Sequence, residues 1–188
     1  MLEDIEINEI RYLCQVIHEK YNYDFSNYAI SSFKRRILRM LELFKIESVT
    51  VLIEKLKNDP AFFRTFLNEL TVNVTEMFRD PSLWRELRDK ILPNLFSTHE
   101  TIKIWHAGCS SGEEVYSMAI LLHESGWLDK VKIFATDIDD SILGKAKEAR
   151  YSMKNMIEVN EKNYIRFGGK SKLSDYFKEE NGLARMDT

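Results

Sequence analysis

Ile102-Lys103-Ile104-Trp105-His106-Ala107-Gly108-Cys109-Ser110-Ser111-Gly112-Glu113-Glu114-Val115-Tyr116-Ser117 is the stretch whose reading decides the fold. A short β-rich run, Ile102 to Ala107, feeds the loop Gly108 to Gly112, and a helical pattern follows from about Glu113 to His123. The same order then recurs. Val131 to Thr136 is a second β-rich run ending at Asp137, and Ser141 opens a helix bearing Ile142, Leu143 and Ala146. Two successive β-α units predict a parallel sheet with right-handed crossovers, the beginning of a Rossmann-like α/β domain. The stretch from Ser152 to Thr188 is too polar to supply further strands, so this domain is expected to be truncated on its C-terminal side.

Upstream of this stretch the pattern is helical. Ile10, Leu13, Cys14 and Ile17 recur at helical spacing, as do Ile30, Phe33, Ile37, Met40, Leu41 and Phe44. Ser48 is placed to cap a third helix carrying Val49, Leu52, Ile53 and Leu56. Asp59-Pro60 gives an N-cap with proline in the first turn of a fourth helix bearing Phe63, Phe66, Leu67 and Leu70. Asp80-Pro81 repeats that start signal before Trp84, Leu87 and Ile91, and Pro93 is expected to close that helix. The predicted organisation is an all-helical bundle domain over 1–70, a linker and leading helix over 71–98, and the first part of a Rossmann-like domain over 99–188.

Composition bounds the function. Of 188 residues, 44% are hydrophobic and 12% aromatic, enough for packed cores, which excludes wholesale disorder. A net charge of -3 argues against a dedicated nucleic-acid binder, whose phosphate contacts need a basic surplus. No apolar run approaches the ~20 residues of a membrane helix, so no membrane insertion is expected. The start, MLEDIEINEI, is acidic and unlike a secretion signal. Cys14 and Cys109 form no metal-ligand pair and suit a reduced, cytoplasmic setting.

The loop between the first strand and its helix carries the chemistry. Dinucleotide binders place G-x-G-x-x-G here so that a pyrophosphate can sit on the helix N-terminus. In this chain Ser110 stands at the second glycine, and Glu113-Glu114 occupy the first helical turn. Two carboxylates there would repel a pyrophosphate, which disfavours an NAD-dependent oxidoreductase. They would attract the α-ammonium of a methionyl group, and S-adenosylmethionine brings no phosphate. Glu113, nearer the loop, is the candidate ligand, whereas Glu114 can be explained by its favourable position against the helix dipole. Asp137, ending the second strand, is placed where a carboxylate accepts the hydroxyls of a ribose.

Four ordered segments resemble one family. Leu70-Thr71-Val72-Asn73-Val74-Thr75-Glu76-Met77-Phe78-Arg79-Asp80 resembles the T-x-N-x-T-x-F-F-R signature of the methyltransferases that esterify glutamates of methyl-accepting chemotaxis receptors. Ala107 to Ser117 is similar to that family's A-x-x-S-T-G-E-E-P-Y-S, Phe134 to Asp139 to its F-A-T/S-D-I-D, and Ala146 to Tyr151 to the helix end that follows. Met77 stands where the family usually has Phe, and Val115 where it has Pro. The resemblance implies an N-terminal all-helical domain before a Rossmann-like methyltransferase domain. It implies S-adenosylmethionine as methyl donor, with S-adenosylhomocysteine as product. Asn73, Thr75 and Arg79 would line the cofactor site from the linker side, Glu113 would hold the methionyl amine, and Asp137 the ribose. The family's further strands, a later asparagine motif and a small β-subdomain are not legible in this sequence. The chain therefore reads as the first part of such an enzyme.

A glutamate substrate near its reference pKa of about 4.3 is already ionised at neutral pH. No general base and no metal is therefore assigned, and the catalytic residues stay unnamed. The resemblance also implies a partner, the cytoplasmic helices of chemoreceptors. With Phe33, Ile37, Met40 and Phe44 on the apolar face of the second helix, Arg35 and Arg39 project from the opposite face, flanked by Lys34 and Arg36. The alternative reading is an adaptor that binds receptor or cofactor without turnover.

Overall fold

Each of the two units into which the chain divides, Met1–Val72 and Asn73–Thr188, closes over its own hydrophobic core. The structure is a computed structural model and describes residues 5–71 and 75–187.

The first unit is helical, as its periodicity predicts: α1 (Ile7–Tyr21), α2 (Ile30–Phe44), α3 (Val49–Asn58) and α4 (Pro60–Leu70). Leu13, Ile17, Phe33, Ile37, Leu52, Leu56, Phe66 and Leu70 are almost wholly buried. They recur three or four residues apart, which puts each set on one helical face. The predicted caps hold: the Ser48 Oγ accepts the Val51 N–H, and the Asp59 carboxylate accepts the Phe62 N–H. Tyr21-Asn22-Tyr23 ends α1. Asn22 takes the left-handed conformation at φ 59°, which lets Tyr21 stack on Phe63 at 3.7 Å while Tyr23 meets the same ring edge-on.

The second unit begins with α5 (Pro81–Glu86), a π-helical turn over Leu87–Ile91, and α6 (Leu92–Phe96). Two expectations change here. Asp80 sits at φ 54° and its side chain makes no cap bond. Pro93 does not close the helix. Lacking an N–H and crowding the carbonyl four residues back, it is accommodated by the wider turn before it, in which the Leu92 N–H reaches the Leu87 carbonyl. The stretch read as a linker lies largely within this unit, since Met77, Phe78, Trp84 and Leu92 belong to its core.

Next come β1 (Ile102–Ala107), α7 (Glu113–Glu124), β2 (Val131–Thr136) and α8 (Asp140–Glu148). β1 and β2 pair in parallel from Ile102↔Val131 to Ala107↔Thr136, the predicted β-α-β-α order. Asp139, rather than Ser141, caps α8, its carboxylate accepting the N–H groups of Ser141 and Ile142. Ile102, Ile104, Val131 and Ile133 turn one face of the pair into the core. The other face carries Lys103, Trp105, Lys132 and Phe134, with Trp105 69% exposed.

The polar stretch after α8 does form strands, contrary to expectation. β3 (Arg150–Ser152), α9 (Met153–Asn155), α10 (Glu161–Phe167), β4 (Phe177–Glu180) and β5 (Leu183–Met186) follow, and the three strands make an antiparallel sheet in the order β3-β5-β4. The overlooked signal is Asn181-Gly182. Both residues adopt positive φ, 52° and 77°, as a two-residue hairpin turn requires. Alternation does the rest, with Ala184 and Met186 facing the core while Leu183 and Arg185 face outward. Gly182→Ala should destabilise this hairpin by roughly 1 kcal/mol, since a Cβ is disfavoured at positive φ. Amide exchange across Phe177–Met186 should quicken while α1–α4 keep their protection.

Candidate functional site

The loop joining β1 to α7 turns sharply because three of its residues take positive φ: Gly108 (78°), Ser110 (50°) and Gly112 (95°). Glycine at 112 is demanded twice over. A Cβ there would also lie 3.1 Å from the Ala146 Cβ and 3.2 Å from the Tyr151 hydroxyl. The end of β2 fastens the loop. The Thr136 carbonyl accepts the N–H groups of Gly108 and Cys109, and the Asp137 carboxylate accepts that of Ser110 at 2.7 Å. Its other oxygen accepts the Asp139 N–H at 3.0 Å. Both oxygens of Asp137 therefore already hold backbone donors, and each keeps a second lone pair for a ligand hydroxyl.

The two glutamates at the head of α7 have different surroundings. Glu113 is half-buried and accepts a 2.6 Å hydrogen bond from the Ser111 hydroxyl; burial raises its carboxyl above the usual glutamate range. Glu114 points outward to a partner the sequence reading missed. The buried His106 donates its Nδ1–H to the Glu114 carboxylate at 2.8 Å. That bond, and after it the positive charge of Arg79, holds Glu114 below its ordinary value. Glu114 is thus engaged within the protein, whereas Glu113 is the carboxyl whose charge burial disfavours on balance.

Glu113 lines a cleft of about 540 Å³ together with Thr75, Glu76, Ser111, Lys145, Arg150, Tyr151 and Asn160. Of the residues singled out from sequence, Thr75 and Glu113 meet in this cleft. Asp137 lies outside its lining and touches it through the Ser110–Ser111 loop. Arg79 is exposed, is not among the lining residues, and acts electrostatically on Glu114. Asn73 lies outside the described residues. Among the described residues no cluster of His, Cys, Asp or Glu is arranged to hold a metal ion, and no helix is long and apolar enough to cross a membrane.

Two family models match the chain: the "CheR methyltransferase, all-alpha domain" over residues 8–71 and the "CheR methyltransferase, SAM binding domain" over 73–181. The chain belongs to the CheR methyltransferase family. Its relatives in that family include the Pseudomonas putida protein named "Putative methyltransferase Cher3", 47% identical over 180 residues, covering 96% of this chain and 65% of that one. The chemotaxis protein methyltransferase of Listeria innocua is 32% identical over 162 residues, covering 86% of this chain and 62% of the relative. That of Listeria monocytogenes is 31% identical with the same coverage. The chain thus spans under two-thirds of the length of these relatives. The cleft and the Asp137 loop both fall within the segment matched to the CheR SAM-binding domain.

A half-buried carboxylate whose charge is penalised by desolvation costs the fold free energy when it ionises. A glutamate whose pKa is raised on folding favours the folded state at low pH, and that contribution is lost as pH rises through the folded value. Glu113→Gln, which keeps an acceptor for Ser111, should therefore raise the melting midpoint of the ligand-free protein by a few degrees at pH 7.5. At pH 4 the gain should vanish, and thermal melts at the two pH values make the comparison.

Proposed function

We propose that this protein is a protein-glutamate O-methyltransferase. On this reading it transfers the methyl group of S-adenosylmethionine to glutamate side chains on the cytoplasmic helices of chemoreceptors and leaves S-adenosylhomocysteine. The observation that carries the reading is Glu113, a half-buried carboxyl with a raised pKa at the head of α7, facing a cleft of a size to take part of a nucleoside ligand. An ammonium group satisfies such a carboxyl and a phosphate does not. Membership of the CheR family and the naming of the Listeria relatives as chemotaxis protein methyltransferases support the same reading.

Within it, Glu113 holds the methionyl amine and Asp137 the ribose through its remaining lone pairs. Thr75 lines the cleft, and the resemblance to the family's linker signature adds Asn73 and Arg79 as cofactor-binding residues of the same segment. When bound, S-adenosylmethionine would supply an electrophilic methyl carbon to a substrate carboxylate oxygen, with the electron pair of the broken carbon–sulfur bond left on sulfur. No proton moves, so this chain's part is to align the two reactants and exclude water. Arg35 and Arg39, both exposed on α2, form the basic face for an acidic receptor helix.

Titration calorimetry on the full-length protein tests the assignment. Asp137→Ala should weaken S-adenosylhomocysteine binding by roughly 1–3 kcal/mol, and Glu113→Gln should weaken it comparably. Unchanged affinity in both would refute the site. Arg35→Glu with Arg39→Glu should slow transfer of a radiolabelled methyl group to an acidic receptor fragment and flatten its salt dependence, with cofactor affinity intact. Tight cofactor binding with no transfer to any receptor fragment would favour the adaptor reading instead.

A further inference from the structure

Two asparagines and a serine are buried beside the aromatic core of the second unit: Ser117 at 0%, Asn160 at 4% and Asn163 at 8% exposure. All three converge on Glu76-Met77-Phe78. The Asn160 Oδ1 accepts the Met77 N–H at 3.0 Å. The Asn163 Nδ2 donates to the Met77 carbonyl at 3.1 Å and to the Glu76 carboxylate at 3.1 Å. The Ser117 Oγ accepts the Phe78 N–H at 2.9 Å and donates to the Glu113 carbonyl at 2.7 Å. Three consecutive polar groups of an irregular backbone, two N–H and one C=O, are thus met by side chains from α7 and from the helical run that ends in α10.

This arrangement does more than satisfy buried donors. Phe78 sits at φ 52°, a conformation that side-chain-bearing residues seldom take, and its ring is stacked on Phe167 at 4.8 Å. Thr75 and Glu76, just before the bend, line the same cleft as Glu113 and Asn160. The Ser117 hydroxyl spans from the bend to the turn that carries Glu113. We propose that Asn160, Asn163 and Ser117 are positioning residues that fix the Thr75–Arg79 segment against the Glu113 turn and so set the width of the cofactor cleft. The inference deepens the methyltransferase reading and rests on it. Neither asparagine belongs to the four segments by which the family is recognised.

The polarity of each contact makes a discriminating test, because a backbone N–H can only donate and a backbone carbonyl only accept. Asn160 is needed as an acceptor and Asn163 as a donor. Calorimetry with S-adenosylhomocysteine on the full-length protein, at a temperature where circular dichroism shows every variant folded, reads the effect. Asn160→Leu should weaken binding about tenfold or more, and Asn160→Asp, which keeps the acceptor, should recover much of it. Asn163→Asp, which sets a carboxylate against Glu76 and the Met77 carbonyl, should lose as much as Asn163→Leu. Ser117→Ala, the mildest change, should weaken binding several-fold. Amide exchange at Met77 should quicken in Asn160→Leu and stay slow in Asn160→Asp, which follows the contact even in a variant of low stability. Wild-type protein that binds, alongside folded variants that bind equally well and differ in melting temperature alone, would overturn the positioning role. Wild-type protein that binds no S-adenosylhomocysteine would overturn the underlying methyltransferase reading as well.

Discussion

The hydrogen bond from the Ser110 N–H to the Asp137 carboxylate, 2.7 Å long, joins the C-terminal ends of the two parallel strands. Parallel strands finish side by side, and the loops leaving them carry backbone N–H groups that no ladder partner satisfies. In this protein a single carboxylate takes one such donor from each loop, Ser110 and Asp139, while the Thr136 carbonyl takes two more. The left-handed turn at Ser110 is held open by these bonds. The start of α7, the placement of Glu113 and one wall of the cleft follow from it. Asp137, proposed to hold a ribose, is thus also a residue that builds the loop, which is why affinity and melting have to be read separately in its variants.

Two adjacent carboxylates at one helix terminus are driven in opposite directions by their surroundings. Glu114 is exposed and tied to His106, so its charge is stabilised; Glu113 is turned inward, where burial penalises its charge and one serine hydroxyl is its side-chain partner. Under the proposed reading, the site for a cationic ligand holds an anionic group whose charge is penalised before the ligand arrives, at a cost in stability to the free protein. The same helical turn can hold both because Cβ direction rotates by about 100° per residue along a helix.

The core behind the cleft is aromatic. Phe78 contacts Trp84, Tyr164 and Phe167, and the Trp84 indole N–H donates to the Arg79 carbonyl. At the far end of α7, Glu124 accepts hydrogen bonds from Tyr164 and Tyr176 and from the Lys170 N–H. These contacts bind α10 and the turn before β4 to α7, so Phe78 and its neighbours are packed from several sides.

Local signals in the sequence determined much of this. Helical spacing of Leu13, Ile17, Phe33 and Ile37, the caps at Ser48 and Asp59, and the strand–glycine loop–helix order all act within a few residues, and the structure follows them. Glu113 was separable from Glu114 by its place beside the loop. The Asn181-Gly182 hairpin was legible too, although its flanking strands are too polar to attract notice. Tertiary structure alone decided the rest. Pro93 continues a helix because a π-turn precedes it. His106 on β1 finds Glu114 at the head of α7 only because the loop between them folds back, and Asn160 and Asn163 find Met77 across more than eighty residues of chain. A buried amide or imidazole takes its role from the partner that folding delivers, and no local pattern in the sequence names a partner that distant.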